Sequence, residues 1–288
     1  MTEPQPFIFD VHLDLSMNAM EWNRDLTQPL EKIRICEAKQ TDKPDRGMGT
    51  VCLPEMRKGN VGLCVATQIA RYTKQKNPLP GWHSPAQAWA QSQGQLSWYN
   101  EVERQGELTQ ICNLEQLESH LEKWSTGQNK QLPIGYILSL EGADSIITLQ
   151  HLESAYEKGL RAIGPAHYGP GTYAPGTGES GPLGNGATEL LREMERLNII
   201  LDVTHLSDTS LDQALDTFSG TVWASHCNCR TLVPGERQLN DHQLKRLIER
   251  GGVIGAALDA WMLIPDWQRG LTTPQSSWVK LSHVVDHI

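Results

Sequence analysis

The 288 residues predict an α/β fold, a TIM-like (β/α)8 barrel with about seven strands. Three observations predict it. Short apolar runs alternate with amphipathic helical patterns, which is the signature of a parallel sheet wrapped by helices. Several of those runs end on a histidine or an acidic residue, and polar groups at the C-terminal ends of parallel strands mark the working face of a barrel. The length, with 39% hydrophobic residues, suffices for one large core, so residues 1–288 are read as a single domain.

The first strand is FIFDVHLDL, residues 7–15. A charged, irregular stretch from about 16 to 60 reads as a helix plus a β-excursion before the second strand, VGLCVATQIA, residues 61–70. Ser84-Pro85 then places an N-cap and a first-turn proline before a long helix. Its Trp89, Leu96, Tyr99 and Val102 recur at helical spacing, a core-packing stripe. LTQICN reads as a short strand and LEQLESHLEKW as an amphipathic helix. Strand and helix patterns then alternate through IGYILSLEGAD, IITLQHLESAYEKG, LRAIGPAHY, NGATELLREMERLN, IILDVTH, SDTSLDQALDTFS, TVWASH, NDHQLKRLIERGG and VIGAALDAWML to a helical SSWVKLSHVVDHI.

Side chains two apart on a strand point the same way, so His12 and Asp14 project together and can grip one cation, with Asp10 one layer deeper. An H-x-D triplet taken alone arises equally as a solvated strand end. Recurrence changes the reading. Glu141, His205 and His226 each close another apolar run, and each is followed by a turn-like or capping stretch. Three imidazoles and two carboxylates suit zinc or a similar divalent ion, and one carboxylate must bridge if five ligands serve two metals.

The net charge of −9 argues against a nucleic-acid partner, which selects a basic stripe. MTEPQPFIFD lacks the basic and apolar regions of a leader peptide, and no apolar run approaches membrane-spanning length. Cys36, Cys52, Cys64, Cys112, Cys227 and Cys229 are scattered and read as reduced, mostly buried thiols in a cytoplasmic protein. Cys227-x-Cys229 lacks the second pair that a metal knuckle needs. His83, His120, His151, His242, His283 and His287 fall on helix or loop patterns and read as surface residues.

FDVHLD, SLEGAD, PAHYG, LDVTHLSD, WASHCN, the RQLND segment and GATELLREMERLNIILDVTHLS together resemble the renal, or membrane, dipeptidase family of zinc peptidases, from about residue 7 onward and in the family's order. The resemblance implies a binuclear zinc dipeptidase acting on a small dipeptide through a metal-activated water. It implies that His12, Asp14 and Glu141 hold one Zn2+ ion and that Glu141, His205 and His226 hold the other. His167 would contact the substrate and stabilise the tetrahedral intermediate. Arg237 would receive the substrate's C-terminal carboxylate, a task suited to a planar guanidinium. Without the family, the residues favour His167 as a histidine that caps or shapes the glycine-rich loop beside it, and Arg230 competes with Arg237.

The chain departs from that pattern in two places. The strands that end on or near Asp14, Ala66, Glu141, His167, His205, His226 and Asp259 number seven, so an eighth strand and the family's proton-handling aspartate are expected to be missing, as in a C-terminally incomplete chain. Such an omission would leave sheet edges open, with pairing to a second copy as a homodimer one outcome. Asp259 stands where mammalian relatives carry an aromatic residue, and either binds a substrate amine or replaces the missing proton carrier, or is a helix N-cap before Trp261. A different two-metal hydrolase and a non-catalytic metal-binding remnant are the other readings.

Overall fold

Strand β1 (Ile8–Leu13) begins a sheet in which every ladder is parallel, continuing through β2 (Val61–Gln68), β3 (Leu108–Gln110), β4 (Ile134–Glu141), β5 (Leu160–Gly164), β6 (Ile200–Asp202), β7 (Val222–Ala224) and β8 (Val253–Ile254). The computed structural model describes residues 6–74, 77, 79–125, 131–268, 270–273 and 275–288. Residues 1–5, part of the segment read for a leader, lie outside the described residues. Seven strands follow one another in the order β1-β2-β4-β5-β6-β7-β8, with β3 paired to β4 as a side branch. β3 takes residues 134–136 of β4 and β5 takes residues 138–141, so the two share one edge of that strand.

The sheet curls until its ends meet at one rim. A Cβ added to Gly255, just past β8, would lie 2.3 Å from Cγ2 of Val11 in β1 and 2.1 Å from the Ser225 carbonyl oxygen. Only a glycine admits that approach. β1 and β8 nevertheless share no ladder, and Ile8, Phe9 and Val253 stay exposed along the two end strands.

Helices α1 (Leu15–Met20), α2 (Leu30–Glu37) and α3 (Leu53–Lys58) lie between β1 and β2; α4 (Pro85–Arg104), α5 (Leu114–Ser125), α6 (Leu149–Glu157), α7 (Ala187–Arg196), α8 (Asp208–Thr217) and α9 (Asp241–Glu249) follow, then the short α10 (Ala260–Leu263) and α11 (Leu281–Asp286). Ser84 caps α4 by accepting from the Gln87 N–H, and Pro85 stands in its first turn. Leu96, Tyr99 and Val102 are buried, and Tyr99 donates to the Thr67 carbonyl at 2.8 Å, tying α4 to β2.

Three elements differ from expectation. No strand forms among residues 16–60. Buried Glu37 instead accepts from Arg24 and Arg46 at 2.8 Å each and from the Gly47 N–H at 2.8 Å, folding the excursion around one carboxylate. LTQICN supplies only the three-residue β3. The expected strand VIGAALDAWML pairs at Val253–Ile254 alone, because the chain turns into α10 after the close contact at Gly255. His120, expected at the surface, is buried and bonds the Gly62 carbonyl through Nε2 at 2.7 Å.

Candidate metal centre

Glu141 ends β4, is 7% exposed, and is followed by Gly142 at φ 80°, where a side chain would be strained. Three imidazoles converge on one of its oxygens. Oε1 lies 3.0 Å from His205 Nε2, 3.5 Å from His226 Nε2 and 3.7 Å from His12 Nε2, while Oε2 lies 3.7 Å from His167 Nε2. Asp14 Oδ1 lies 3.6 Å from His12 Nε2. β1 contributes His12, and Asp14 follows it at the N-cap position of α1. His226 follows β7, and its ring stacks on His12 with centroids 3.8 Å apart, a direct result of the curl. His205 lies three residues past β6 at φ 70°, an uncommon conformation outside glycine.

Two groups share Glu141: His12, Glu141 and His226, and Glu141, His167 and His205, each with ligand atoms mutually within 4.8 Å. This grouping pairs His226 with His12 and His205 with His167, unlike the division that the resemblance implies. Asp14 Oδ1 and Glu141 Oε1 are buried without a hydrogen-bond partner among the described residues. Buried anionic oxygens left in that state are costly. The donor set therefore fits divalent cations, which would satisfy both.

Burial opposes ionisation of Glu141, but His167, His12 and His205 around it hold its pKa well below the usual carboxylate value. Burial pushes Asp14 up to about 6. It likewise depresses His205, to about 4, with Arg237 adding to the effect, and His226, with His12 adding. These two imidazoles are thus neutral at pH 7, as metal ligation requires. At His12 burial opposes the charged form, yet Glu141, Asp14 and Asp202 raise its pKa.

Arg237 is buried beside this cluster. It donates through Nη2 to the His226 carbonyl at 3.1 Å, with His205 Nε2 at 3.3 Å, and through Nη1 to the Cys227 sulfur. No carboxylate pairs with it among the described residues. Arg230 is already engaged by Asp208, at 2.8 and 2.7 Å. Asn240 caps α9 in a reciprocal box with Gln243. Asp259 is not brought to the cluster: it is exposed, five residues beyond the end of β8, at the N-cap position of α10 with no side-chain capping bond.

Sequence reasoning missed the groups behind the ligands. Thr177 Oγ1 meets His205 Nδ1 at 2.9 Å, and Ser225 Oγ meets His226 Nδ1 at 2.8 Å. Thr177 arrives from the glycine-rich loop, which is laid against His167: the Thr177 N–H donates to the His167 carbonyl, and a Cβ on Gly176 would fall 1.8 Å from that oxygen. Arg71, the first charged residue after β2, reaches His167 and was visible as a strand-end cation. Asp144, which accepts from the Tyr72 and Thr172 N–H groups, gave no local signal.

A curled parallel sheet with a histidine-carboxylate cluster at its C-terminal rim places the molecule among TIM-like α/β proteins with a candidate metal centre. The family model described as membrane dipeptidase (Peptidase family M19) matches residues 4–288, and the chain belongs to that family. It is 29% identical over 162 residues to Dipeptidase tcpJ of Claviceps purpurea, covering 54% of this chain and 36% of that protein. An uncharacterized protein of Acinetobacter calcoaceticus is 27% identical over 149 residues, covering 49% of this chain and 47% of its own length. The chain thus spans half or less of these two relatives. A metallopeptidase of Rhodobacter sphaeroides, solved with a phosphinate mimic of the dipeptide L-Ala-D-Ala, superposes with a TM-score of 0.74 at 20% identity, covering 99% of this chain and 83% of that one. That likeness concerns the fold.

Proposed function

We propose that this chain carries the metal centre of a zinc-dependent dipeptidase, with two Zn2+ ions bridged by Glu141. The convergence of three imidazole Nε2 atoms on one orphaned carboxylate oxygen supports the reading most directly. His12, Asp14, His205 and His226 complete the donor set. Bound zinc would lower the pKa of a water toward neutrality and polarise the scissile carbonyl.

The chain's own residues do the rest. Arg237 offers a buried guanidinium without a carboxylate partner, suited to the free C-terminus of a dipeptide. His167 turns Nε2 toward the cluster, where it would donate to the substrate's carbonyl oxygen as negative charge develops there. Six free cysteines fit a reducing, cytoplasmic setting. Among the described residues no helix is long and apolar enough to cross a membrane.

Metal analysis by mass spectrometry, run alongside amine release from a panel of L-L and L-D dipeptides, tests the proposal. The expected result is close to two zinc equivalents, lost to chelator together with activity. A chain that binds no zinc, or cleaves no dipeptide when loaded, refutes it.

A further inference from the structure

Three of the four histidines around Glu141, His167, His205 and His226, differ in what stands behind them. His205 and His226 each present Nδ1 to a hydroxyl, of Thr177 and Ser225, at 2.9 and 2.8 Å. A hydroxyl can accept, so Nδ1 can carry the ring hydrogen and leave the Nε2 lone pair for a cation. His167 presents Nδ1 to Nη2 of Arg71 at 2.5 Å. A guanidinium has five N–H donors and no acceptor. His167 Nδ1 must therefore be the lone pair, and the hydrogen of the neutral ring sits on Nε2, the atom facing Glu141 Oε2 at 3.7 Å.

Arg71 is held in place for this. Nη1 donates to the Pro80 carbonyl at 2.8 Å. Its backbone is pinned by a short ribbon, with the Trp82 N–H donating to the Arg71 carbonyl and the Thr73 N–H to the Trp82 carbonyl, both at 2.8 Å. Asp144 staples the next residue, Tyr72, to Thr172 of the glycine-rich loop. Both the cation and the imidazole it faces thus belong to one hydrogen-bonded unit. Arg71 Nε is buried without a partner among the described residues, so the guanidinium is held through its two Nη atoms.

We infer that Arg71 is a positioning residue that fixes the tautomer of His167, turning Nε2 into a hydrogen-bond donor and excluding it from the metal ligands although it lies within ligand distance of Glu141 and His205. The inference rests on the proposed dipeptidase reading and adds the reason that two neighbouring imidazoles take different roles. The ring stays neutral throughout; only the position of its hydrogen differs. Loss of the Arg71 donor lets the hydrogen move to Nδ1, which leaves a lone pair where the substrate's carbonyl oxygen needs a donor.

The test uses the zinc-loaded chain labelled with 15N-histidine, with the His167 ring signals identified by their loss in His167→Gln. Wild-type protein should show Nε2 protonated and Nδ1 bare. Arg71→Met should shift the ring toward the Nδ1–H form, keep zinc stoichiometry, and lower kcat by up to roughly 100-fold with little change in KM, as for loss of a donor to a developing oxyanion. Arg71→Lys, which still only donates, should restore the Nε2–H tautomer and part of kcat. A wild-type ring protonated on Nδ1, or Arg71→Met with unchanged tautomer and kcat, overturns the inference. Because the tautomer is read without turnover, zinc-loaded protein that cleaves no dipeptide would sink the dipeptidase reading separately.

Discussion

Replacing Thr177 by valine removes one hydroxyl from behind His205 while keeping the branched shape. In the proposed metal centre His205 ligates through Nε2, so Nδ1 carries a hydrogen and donates it to Thr177 Oγ1 at 2.9 Å. The ring is 3% exposed, so no water stands ready to replace the lost acceptor. A buried donor left unsatisfied costs about 1–3 kcal/mol. The same ring loses the fixed orientation that aims Nε2 at Glu141 Oε1. Both effects weaken the metal-bound form, and about 1–3 kcal/mol corresponds to a roughly 5–150-fold weaker zinc affinity, which brackets the roughly 10–100-fold expected for a partner behind a ligating histidine. Competition with a chelator of known affinity measures it, with circular dichroism to verify that the fold is intact. Ser225→Ala, acting on His226, should give a loss of similar size. A folded Thr177→Val protein with wild-type zinc affinity would refute the assignment of His205 as an Nε2 ligand oriented by the loop.

Glu141→Gln should lower zinc occupancy in both positions, read by mass spectrometry, because it removes the shared anionic oxygen; two equivalents held at wild-type affinity would exclude Glu141 as the bridge. Arg237→Lys replaces a planar fork by a point charge and should raise KM for dipeptides by up to about 100-fold, a loss within the roughly 1.5–3 kcal/mol of a charged hydrogen bond, with zinc content unchanged. An unaltered preference for dipeptides over their C-terminal amides in that variant would count against Arg237. Glu37 is held down to about 2, since Arg24, Gly47 and Arg46 together outweigh the burial that opposes its ionisation. A depressed carboxylate stabilises the fold above its ordinary pKa of 4.5, and that contribution fades as pH falls from 4.5 through about 2. Glu37→Gln should therefore cost about 3–5 kcal/mol near neutrality, as expected for breaking a buried ion pair, and flatten this acid leg of the denaturation profile. An unchanged leg would show that the network contributes little.

Much of the site was legible because strand periodicity and strand ends are local properties. His12 and Asp14 project together by the two-residue repeat. Glu141 announces itself as the residue at which an apolar run stops. The limits are equally local. Asp259 follows an apolar run as well, but the run does not stay in the sheet: pairing ends at Ile254, and the residue the sequence placed on the rim is exposed at a helix start. His120 sits on a polar helical pattern and is buried, because the Gly62 carbonyl of another strand receives its ring.

The sequence by itself determined the parallel α/β architecture, the residues that end its strands, and membership in a family whose motifs occur in order. The architecture and the strand ends follow from short-range rules of pleat, cap and turn that each segment carries alone; the family follows from the resemblance of its ordered motifs. Only the tertiary structure decided which imidazoles meet which oxygens. The curl brings β1 against the residues after β8 and stacks His12 on His226, across more than two hundred residues of chain. The glycine-rich loop sets Thr177 behind His205, and the ribbon after β2 sets Arg71 behind His167. A histidine's role depends on the donor or acceptor at its far nitrogen, and that partner comes from a distant segment that no local pattern specifies.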